Sequence, residues 1–405
     1  MYRKRLIEKH LQDAWAAFPV VVVVGARQVG KSTLLRHVAP AAAAVVFDPI
    51  QDIANARKDP DLFLASQPRP LILDEIQYAP EVVAALKRAV DRDRRPGQYL
   101  ITGSQQWSVM ASLAESLAGR ALILDLEGFA AAELAGLEMG WLGPWLEAPD
   151  QPPVAASTQP RPFTEQLWRG FLPEAQDLPA GLIPDFHRSY QTTYIERDVR
   201  LLADVNDWAA FARFTRLLAA LTAQEVNRSE LGREISLTPQ TATAWTRMLV
   251  ATCQWHEVAP WHGNTIKRLS KRPKGYAADS GQVCASLAIP SPSALLDHPS
   301  FGAIVETALV GDLRRMASAL PTRPVFHHWR SHGGAEVDVV LSYGSRLHPI
   351  EIKASSHPGS DDMRGIRAFR ADHPKHVQDM ALILAPVERG YQIGDQCWVV
   401  PWHAG

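Results

Sequence analysis

The 405-residue sequence has few cysteines, no long apolar run and almost no net charge. Its three cysteines are widely spaced and form no Cys-x-x-Cys pair, which argues against a zinc site or a disulfide framework and fits a reducing cytoplasm. No apolar run approaches the roughly 20 residues that span a bilayer, so we expect no membrane partner. Because the formal net charge is -1, a nucleic-acid partner would have to be met by a local patch of charge.

Length and composition predict several domains. A chain of this length is too long for one ordinary core. Residues 1–140 alternate short apolar runs with helical patterns, and 141–162 form a proline-rich linker or surface excursion. Residues 163–290 are mainly helical, and 291–405 return to a mixed α/β pattern. We therefore expect an α/β domain, a helical domain and a second α/β domain.

Five short apolar runs in the first domain are predicted to be buried strands. They are rich in β-branched residues and too short to be helices. Helical patterns separate them, which predicts a doubly wound parallel sheet. The predicted strands are Val20 to Val24, Ala43 to Phe47, Leu71 to Leu73, Tyr99 to Thr102 and Leu122 to Leu126.

A glycine-containing loop follows the first of these strands. The sequence GARQVGKS matches G-x-x-x-x-G-K-[ST] directly after a strand and before a helical segment. Its glycines let several N–H groups point into one concavity, to which the helix N-terminus adds its positive end. We expect Lys31 to reach the β- and γ-phosphates of ATP and Ser32 to hold Mg²⁺. The predicted nucleotide-binding residues are Gly25, Ala26, Arg27, Gln28, Val29, Gly30, Lys31, Ser32 and Thr33.

Two further strands are predicted to bring polar side chains to the same sheet edge. Asp74 and Glu75 follow the third apolar run, where Asp74 would complete the Mg²⁺ shell and Glu75 would polarise the attacking water. Ser104 follows the fourth run and could sense the γ-phosphate or orient that water. A helix N-cap is an equal alternative for Ser104.

The glycine-containing loop, or P-loop, is followed along the chain by a strand that ends in acidic residues and then by a strand that ends in polar residues. This order resembles the AAA-type branch of P-loop ATPases. That resemblance implies a homo-oligomeric ring, such as a hexamer, in which a neighbouring subunit supplies an arginine finger to the γ-phosphate. Arg120 is the first candidate for this finger and Arg197 is the second. A surface salt bridge is the alternative for either arginine.

The full chain resembles one family of prokaryotic AAA-type ATPases that carry a helical and winged-helix region and a C-terminal domain of unknown function. The matching segments are GARQVGKS, LILDEIQ, ITGSQQ, ESLAGR, TYIERDVR, EVDVV and IEIKAS, and they extend over nearly the full length. The proline-rich linker is longer than the resemblance implies. The resemblance also suggests an interdomain or intersubunit network of Glu196, Arg197 and Asp198, which charge pattern alone would assign to a solvated helix face.

Residues 229–250 have helix-turn-helix spacing, and Thr238 to Leu249 are predicted to form the recognition helix. Downstream, five cations fall within eight residues, as in a wing that grips phosphates. A protein-packing module and a solvated hairpin are the alternatives. The predicted DNA-contacting residues are Gln240, Thr241, Thr243, Lys267, Arg268, Lys271, Arg272 and Lys274.

The C-terminal segment carries acidic residues in a pattern typical of metal-dependent nucleases. Asp338 and Glu351 lie on successive predicted strands, and Lys353 shares a strand face with Glu351. The two carboxylates could share a divalent ion, while Lys353 orients the attacking water or stabilises developing charge. Together with Glu306 on the preceding helix, this arrangement resembles the PD-(D/E)xK restriction-endonuclease-like fold. Whether the domain cuts DNA is left open by these residues.

The combined patterns favour Mg²⁺-dependent ATP hydrolysis coupled to the binding and remodelling or translocation of DNA. Two alternatives remain open at this point. One is a nucleotide switch in signalling or defence without motor activity, and the other is a metal-dependent DNA nuclease gated by ATP.

Overall fold

A computed structural model of the chain describes residues 2–103, 117–194, 207–262, 272–374, 380–394 and 396–405. The chain forms two compact units. The N-terminal unit consists of Arg5–Gly128 and Ala251–Cys253, and the C-terminal unit of Met1–Lys4, Phe129–Val250 and Gln254–Gly405. Within the described ranges, no helix combines the length and the apolar character that crossing a membrane requires.

The N-terminal unit is built on a parallel β-sheet. Its strands are β1 (Val20–Val24), β2 (Ala43–Val46), β3 (Leu71–Asp74), β4 (Tyr99–Gly103) and β5 (Ala121–Asp125). Its helices in the described residues are α1 (Glu8–Ala17), α2 (Lys31–Val38), α3 (Pro60–Ser66) and α4 (Glu81–Arg92). The five predicted strands are confirmed to within one residue at each end. The sequence pattern also predicts a helix over Ser108 to Leu117, a segment that falls almost wholly outside the described residues.

The strand order of this sheet is β2-β3-β4-β1-β5. β4 therefore lies between β1, which leads into the P-loop, and β3, which ends in the acidic residues. The parallel register places Val23 beside Thr102 and Leu73 beside Ile101. The carboxyl ends of these three strands consequently meet at one edge, where open α/β sheets bind their ligands.

The C-terminal unit contains a sheet that has nine strands in the described part of the chain, in the order β13-β14-β12-β11-β10-β9-β7-β8-β6. These strands are β6 (Gln224–Glu225), β7 (Trp255–Pro260), β8 (Lys274–Ala277), β9 (Val325–Arg330), β10 (Glu336–Tyr343), β11 (Arg346–Ile352), β12 (Ala381–Ala385), β13 (Tyr391–Ile393) and β14 (Cys397–Pro401). The apolar runs that the sequence predicts as strands in this region correspond to β9, β10, β11 and β12; they are Val325 to Trp329, Glu336 to Leu341, Pro349 to Ile352 and Met380 to Leu384.

The helices of the C-terminal unit include the predicted helix-turn-helix pair. In chain order they are α5 (Ala131–Leu134), α6 (Leu142–Glu147), α7 (Phe163–Arg169), α8 (Pro173–Asp177), α9 (Ile183–Tyr194), α10 (Trp208–Ala220), α11 (Arg228–Glu234), α12 (Pro239–Ala251), α13 (Ser280–Ser286), α14 (Pro292–Leu296), α15 (Phe301–Ser318) and α16 (Arg364–Asp372). The periodicity of Phe301 to Leu313 in the sequence predicts a helix, which the structure confirms as α15 and extends by five residues.

The sheet continues through the predicted domain boundary at residues 290 and 291. β7 of the helical segment pairs in parallel with β9 of the C-terminal segment, with Ala259 opposite His327. An edge strand carries unpaired backbone groups, and this pairing satisfies them. In the structure the predicted middle and C-terminal domains thus share one sheet.

The start of the proline-rich segment 141–162 is packed, whereas residues 150–162 are exposed or half-buried. It contains α6, in which Trp145 is fully buried and its ring meets the edge of His348 at a centroid distance of 5.3 Å. Ala155 and Ala156 form isolated β-bridges with residues near the C-terminus. Large apolar side chains between the prolines provide the packing surface that proline content alone does not reveal.

Candidate functional site

The P-loop adopts backbone angles that require glycine. Gly25 has a φ of +152°, and a Cβ atom placed there would lie 1.9 Å from the carbonyl oxygen of Leu126. Gly30 has a φ of +94° and immediately precedes the first residue of α2. Any other residue at either position would therefore require a change in the backbone.

The lysine of the motif lies inside the loop. The Nζ atom of Lys31 donates hydrogen bonds to the carbonyl oxygens of Gly25 at 3.0 Å and Ala26 at 2.8 Å, and the side chain is buried. Burial lowers the pKa of Lys31, whereas the negative charge of Glu75 acts in the opposite direction. The loop thus holds the ammonium group at the place where the sequence predicts phosphate oxygens.

Asp74 receives hydroxyl donors from two different elements. The Oγ atom of Ser32 donates to Asp74 Oδ1 at 2.8 Å, and the hydroxyl of Thr102 donates to the same oxygen. Asp74 and Thr102 are both buried. The structure therefore brings together the two residues predicted to hold Mg²⁺, and it adds Thr102 as the group that orients the carboxylate.

The backbone of Glu75 is held in the left-handed region, with φ 60° and ψ 47°. A non-glycine residue in this region costs on the order of 1–3 kcal/mol, so neighbouring contacts must maintain it. The N–H of Glu75 donates to Thr102 Oγ1 at 3.1 Å, and the side-chain amide of Gln77 donates to Glu75 Oε2. Thr102 accordingly fixes both acidic residues. Ser104, the side chain predicted to act at this edge, lies outside the described residues.

Arg5 contacts the P-loop from the start of the N-terminal unit. Its guanidinium donates to the carbonyl oxygens of Val29 at 2.9 Å, Glu127 at 2.8 Å and Gly128 at 2.9 Å, and the side chain is buried. Because a trans peptide places C=O and N–H on opposite sides, the N–H of Gly30 points away from Arg5. Arg5 is outside the nucleotide-binding motif, and no sequence pattern predicted this contact.

Arg120 lies at the opposite end of the sheet from the P-loop of its own chain. It immediately precedes β5, whose first residue pairs with Val20, the first residue of β1. β1 rises about 3.3 Å per residue over its five residues, so roughly 13 Å separates this edge from the P-loop. Arg120 instead donates to Asp91 Oδ1 at 2.6 Å, which is the salt bridge given above as the alternative. Arg197 lies outside the described residues.

The residues predicted to contact DNA have different environments. Gln240 and Arg272 are exposed, whereas Thr241 and Thr243 are half-buried. The hydroxyl of Thr243 donates to the carbonyl oxygen of Pro239 at 2.8 Å within α12. Lys267, Arg268 and Lys271 lie outside the described residues.

Lys274 is buried among carboxylates, so its prediction as a phosphate-gripping cation is wrong. Its Nζ atom lies 2.7 Å from Glu306 Oε1, 3.3 Å from Asp338 Oδ1 and 3.4 Å from Glu336 Oε1. The side chain is only 7% exposed. Although burial opposes the charge, the carboxylates raise the pKa of Lys274 and keep it protonated.

The remaining nuclease-like residues surround this lysine, and we call the group of Lys274, Glu306, Asp338, Glu351 and Lys353 the acidic centre. Lys353 Nζ lies 2.8 Å from Glu351 Oε1, which agrees with the predicted shared strand face. Burial raises the pKa of Glu306 and of Glu351 to about 8, and the charge of Asp338 adds to the effect. Among the described residues, no group of three or more histidine, cysteine or acidic side chains is suited to hold a metal ion.

Three family models match successive parts of the chain. Residues 17–135 match an AAA domain, 161–293 match a domain of unknown function (DUF8612), and 301–404 match a second domain of unknown function (DUF4143). The first match confirms the prediction of an AAA-type P-loop domain. The chain therefore carries a P-loop ATPase-type function in its N-terminal unit.

Relatives extend the comparison over the whole chain. Uncharacterized proteins of Mycobacterium tuberculosis and Mycobacterium bovis are each 28% identical to it over 402 residues, which cover 99% of this chain and 84% of theirs. A Walker-type ATPase of Pyrococcus abyssi aligns with a TM-score of 0.42 and 14% identity, covering 71% of this chain and 96% of that one. The RuvB Holliday junction branch migration motor of Thermotoga maritima aligns with a TM-score of 0.31 and 16% identity, covering 62% and 88%. These scores are too low to support an inference about this chain.

The contacts of Arg5 predict that Arg5→Ala weakens nucleotide binding. Loss of a charged donor to Val29 leaves a P-loop carbonyl less constrained, and a hydrogen bond from a charged group contributes about 1.5–3 kcal/mol. We expect ATP affinity, measured by calorimetry, to fall about tenfold or more. Lys9→Ala, which removes a cation from an exposed ion pair on α1, is the control and should bind ATP as the wild type does. Equal affinities of wild type and Arg5→Ala would contradict a positioning role.

Proposed function

We propose that the protein hydrolyses ATP with Mg²⁺ and couples this reaction to the binding and remodelling or translocation of DNA, as a homo-oligomeric ring. The observation that supports the ATPase part most directly is the convergence of Lys31, Ser32, Asp74 and Glu75 at one sheet edge. Because P-loop catalysis consists mainly of positioning and charge stabilisation, a set of fixed polar groups next to a phosphate-binding loop is what it requires.

The residues around Asp74 fit a magnesium ion. Ser32 offers a hydroxyl oxygen and Asp74 a carboxylate oxygen, and their 2.8 Å contact supports the proposal that both face one ligand. When bound, Mg²⁺ would neutralise charge that develops on the phosphate oxygens. Lys31 and the P-loop amides would hold the phosphates, and Glu75 would orient a water molecule and accept its proton.

The arrangement of helices and strands in residues 208–277 supports the DNA part of the proposal. The order α10, β6, α11, α12, β7 and β8, with antiparallel pairing of β6 to β8 and β7 to β8, supports our proposal of a winged helix. Gln240 and Arg247 are exposed and seven residues apart, so they lie on the same side of α12. Helices of this kind read the major groove through such exposed polar faces.

In chain order, residues 261–273 connect β7 to β8, which is the position of the wing in the proposed winged helix. Lys274 is buried in the acidic centre and is not available to DNA. The remaining candidate phosphate contacts are Lys267, Arg268, Lys271 and Arg272. Each phosphate neutralised by such a cation makes binding more salt-dependent. A charge cluster in a strand connection next to a helix-turn-helix is thus the feature that favours DNA over a protein partner.

DNA-dependent ATP hydrolysis tests this proposal. We expect linear, forked or four-way-junction DNA to raise the steady-state ATPase rate. Arg247→Ala combined with Arg272→Ala should lower the apparent DNA affinity about tenfold and reduce the slope of log affinity against log salt by about 1–2. Lys87→Ala, which removes an exposed cation from α4, is the control and should keep wild-type stimulation.

Two results would contradict the coupling to DNA. Hydrolysis that is indifferent to every DNA would favour a nucleotide switch. Metal-dependent strand cleavage on a gel, lost in Asp338→Ala, would favour the ATP-gated nuclease.

The position of Arg120 predicts that it acts on a neighbouring subunit. Arg120→Ala should lower ATPase activity about 10³-fold or more, as loss of an arginine finger does. Mixing Arg120→Ala with Lys31→Ala subunits should restore activity, because a mixed interface joins an intact P-loop to an intact finger. Asp91→Asn breaks the same salt bridge but keeps the arginine, so it should retain activity. If Asp91→Asn loses as much activity as Arg120→Ala, or if Arg120→Ala remains active, the assignment fails.

A further inference from the structure

We propose that Lys274 is the resident cation of the acidic centre and occupies the place of the divalent metal that the nuclease-like resemblance implies. The inference does not depend on ATP hydrolysis or on DNA binding by the chain. It rests on whether the carboxylates of Glu306, Asp338 and Glu351 can fit a metal ion in this fold.

Four carboxylate oxygens of the acidic centre already have partners, whereas Glu351 Oε2 is buried without a hydrogen-bond partner. Glu306 Oε1 accepts a hydrogen bond from Tyr276 at 2.7 Å and contacts Lys274 at the same distance. Asp338 uses Oδ1 for Lys274 at 3.3 Å and Oδ2 for the backbone N–H of Ile352 at 2.9 Å. A metal bound directly by these oxygens would have to displace charge-assisted or buried contacts, which are costly to leave unmade.

The two lysines supply the positive charge that a metal would otherwise bring. Lys274 pairs with Glu306 and Asp338, and Lys353 pairs with Glu351 Oε1 at 2.8 Å. A divalent ion between these carboxylates would stand next to a buried ammonium group of the same sign. Like charges at short range in a buried site repel strongly, so the lysine and the metal exclude each other.

Strand pairing fixes Lys274 in this position. β8 pairs on both sides, and Lys274 lies opposite Glu225 of β6 and Val258 of β7. The next residue, Gly275, packs so closely on Trp255 that a Cβ atom would lie 2.1 Å from its ring. Alternation along β8 points Lys274 and Tyr276 to the same face, where both contact Glu306. The pairing therefore fixes the backbone of Lys274 and directs its side chain to the face that carries Glu306.

The acidic centre consequently joins elements rather than cleaving phosphodiesters. Buried ion pairs of Lys274 connect the β7–β8 hairpin to α15 through Glu306 and to β10 through Asp338. Breaking such a pair by removing one partner is strongly destabilising, because the opposite charge stays buried. DNA bound by this unit would be held without being cut.

The test is Mn²⁺ binding to the full-length chain without nucleotide, measured by electron paramagnetic resonance. An Asp74→Asn background removes the P-loop carboxylate, so that the acidic centre is examined alone. We expect this parent to bind no Mn²⁺ at the acidic centre. Lys274→Met in the same background should bind Mn²⁺ at concentrations at least tenfold below those at which the parent shows no binding. Adding Asp338→Asn to this variant should abolish the binding. Lys274→Arg keeps the cation and should behave as the parent does.

Thermal unfolding gives a second, independent readout. Lys274→Met should lower the unfolding temperature by roughly 5 °C or more, and Mn²⁺ should restore part of the loss only in this variant. Mn²⁺ that binds tightly to the parent and is lost in Asp338→Asn would overturn the proposal, even if Lys274→Met does not fold. A folded Lys274→Met that binds no Mn²⁺ would overturn it equally.

Discussion

The parallel register of the N-terminal sheet is the constraint on which the nucleotide site depends. Because β4 lies between β1 and β3, the ends of all three strands meet at one edge, and Thr102 reaches both the last residue of β3 and the residue after it. Its hydroxyl donates to the carboxylate of Asp74 and accepts from the backbone of Glu75. A shift of one residue in β4 would turn Thr102 to the opposite face and release both acidic residues.

The two units use similar side chains to opposite effect. At the P-loop, backbone carbonyls hold Lys31 and hydroxyl groups hold Asp74. In the acidic centre, Lys274 pairs directly with Glu306 and Asp338, so the charge is matched within the protein. The same residue types are thus held by uncharged groups at one site and by one another at the other.

Short sequence patterns predicted more of this structure than could be predicted for contacts between residues that are distant in the sequence. Strand bounds, the P-loop and the acidic strand follow from apolar runs and short motifs, and the AAA match agrees with them. The roles of Arg5 and Thr102 depend on contacts across strands or over many residues, which spacing does not encode. Lys274 shows the limit most clearly, since five cations in eight residues predict a charged surface, and only the pairing of β8 reveals that one of them is buried.

ATP binding and phosphate release in wild type, Glu75→Gln and Lys31→Ala, measured on the same preparations, test the central claim most directly. The claim is that one sheet edge both holds ATP and activates the water that attacks it. It predicts that wild type hydrolyses ATP, that Glu75→Gln binds ATP with affinity within a few fold of wild type yet releases phosphate about 10²–10⁴ times more slowly, and that Lys31→Ala loses binding. Hydrolysis by Glu75→Gln at the wild-type rate, or a wild type that binds ATP without releasing phosphate, would contradict it.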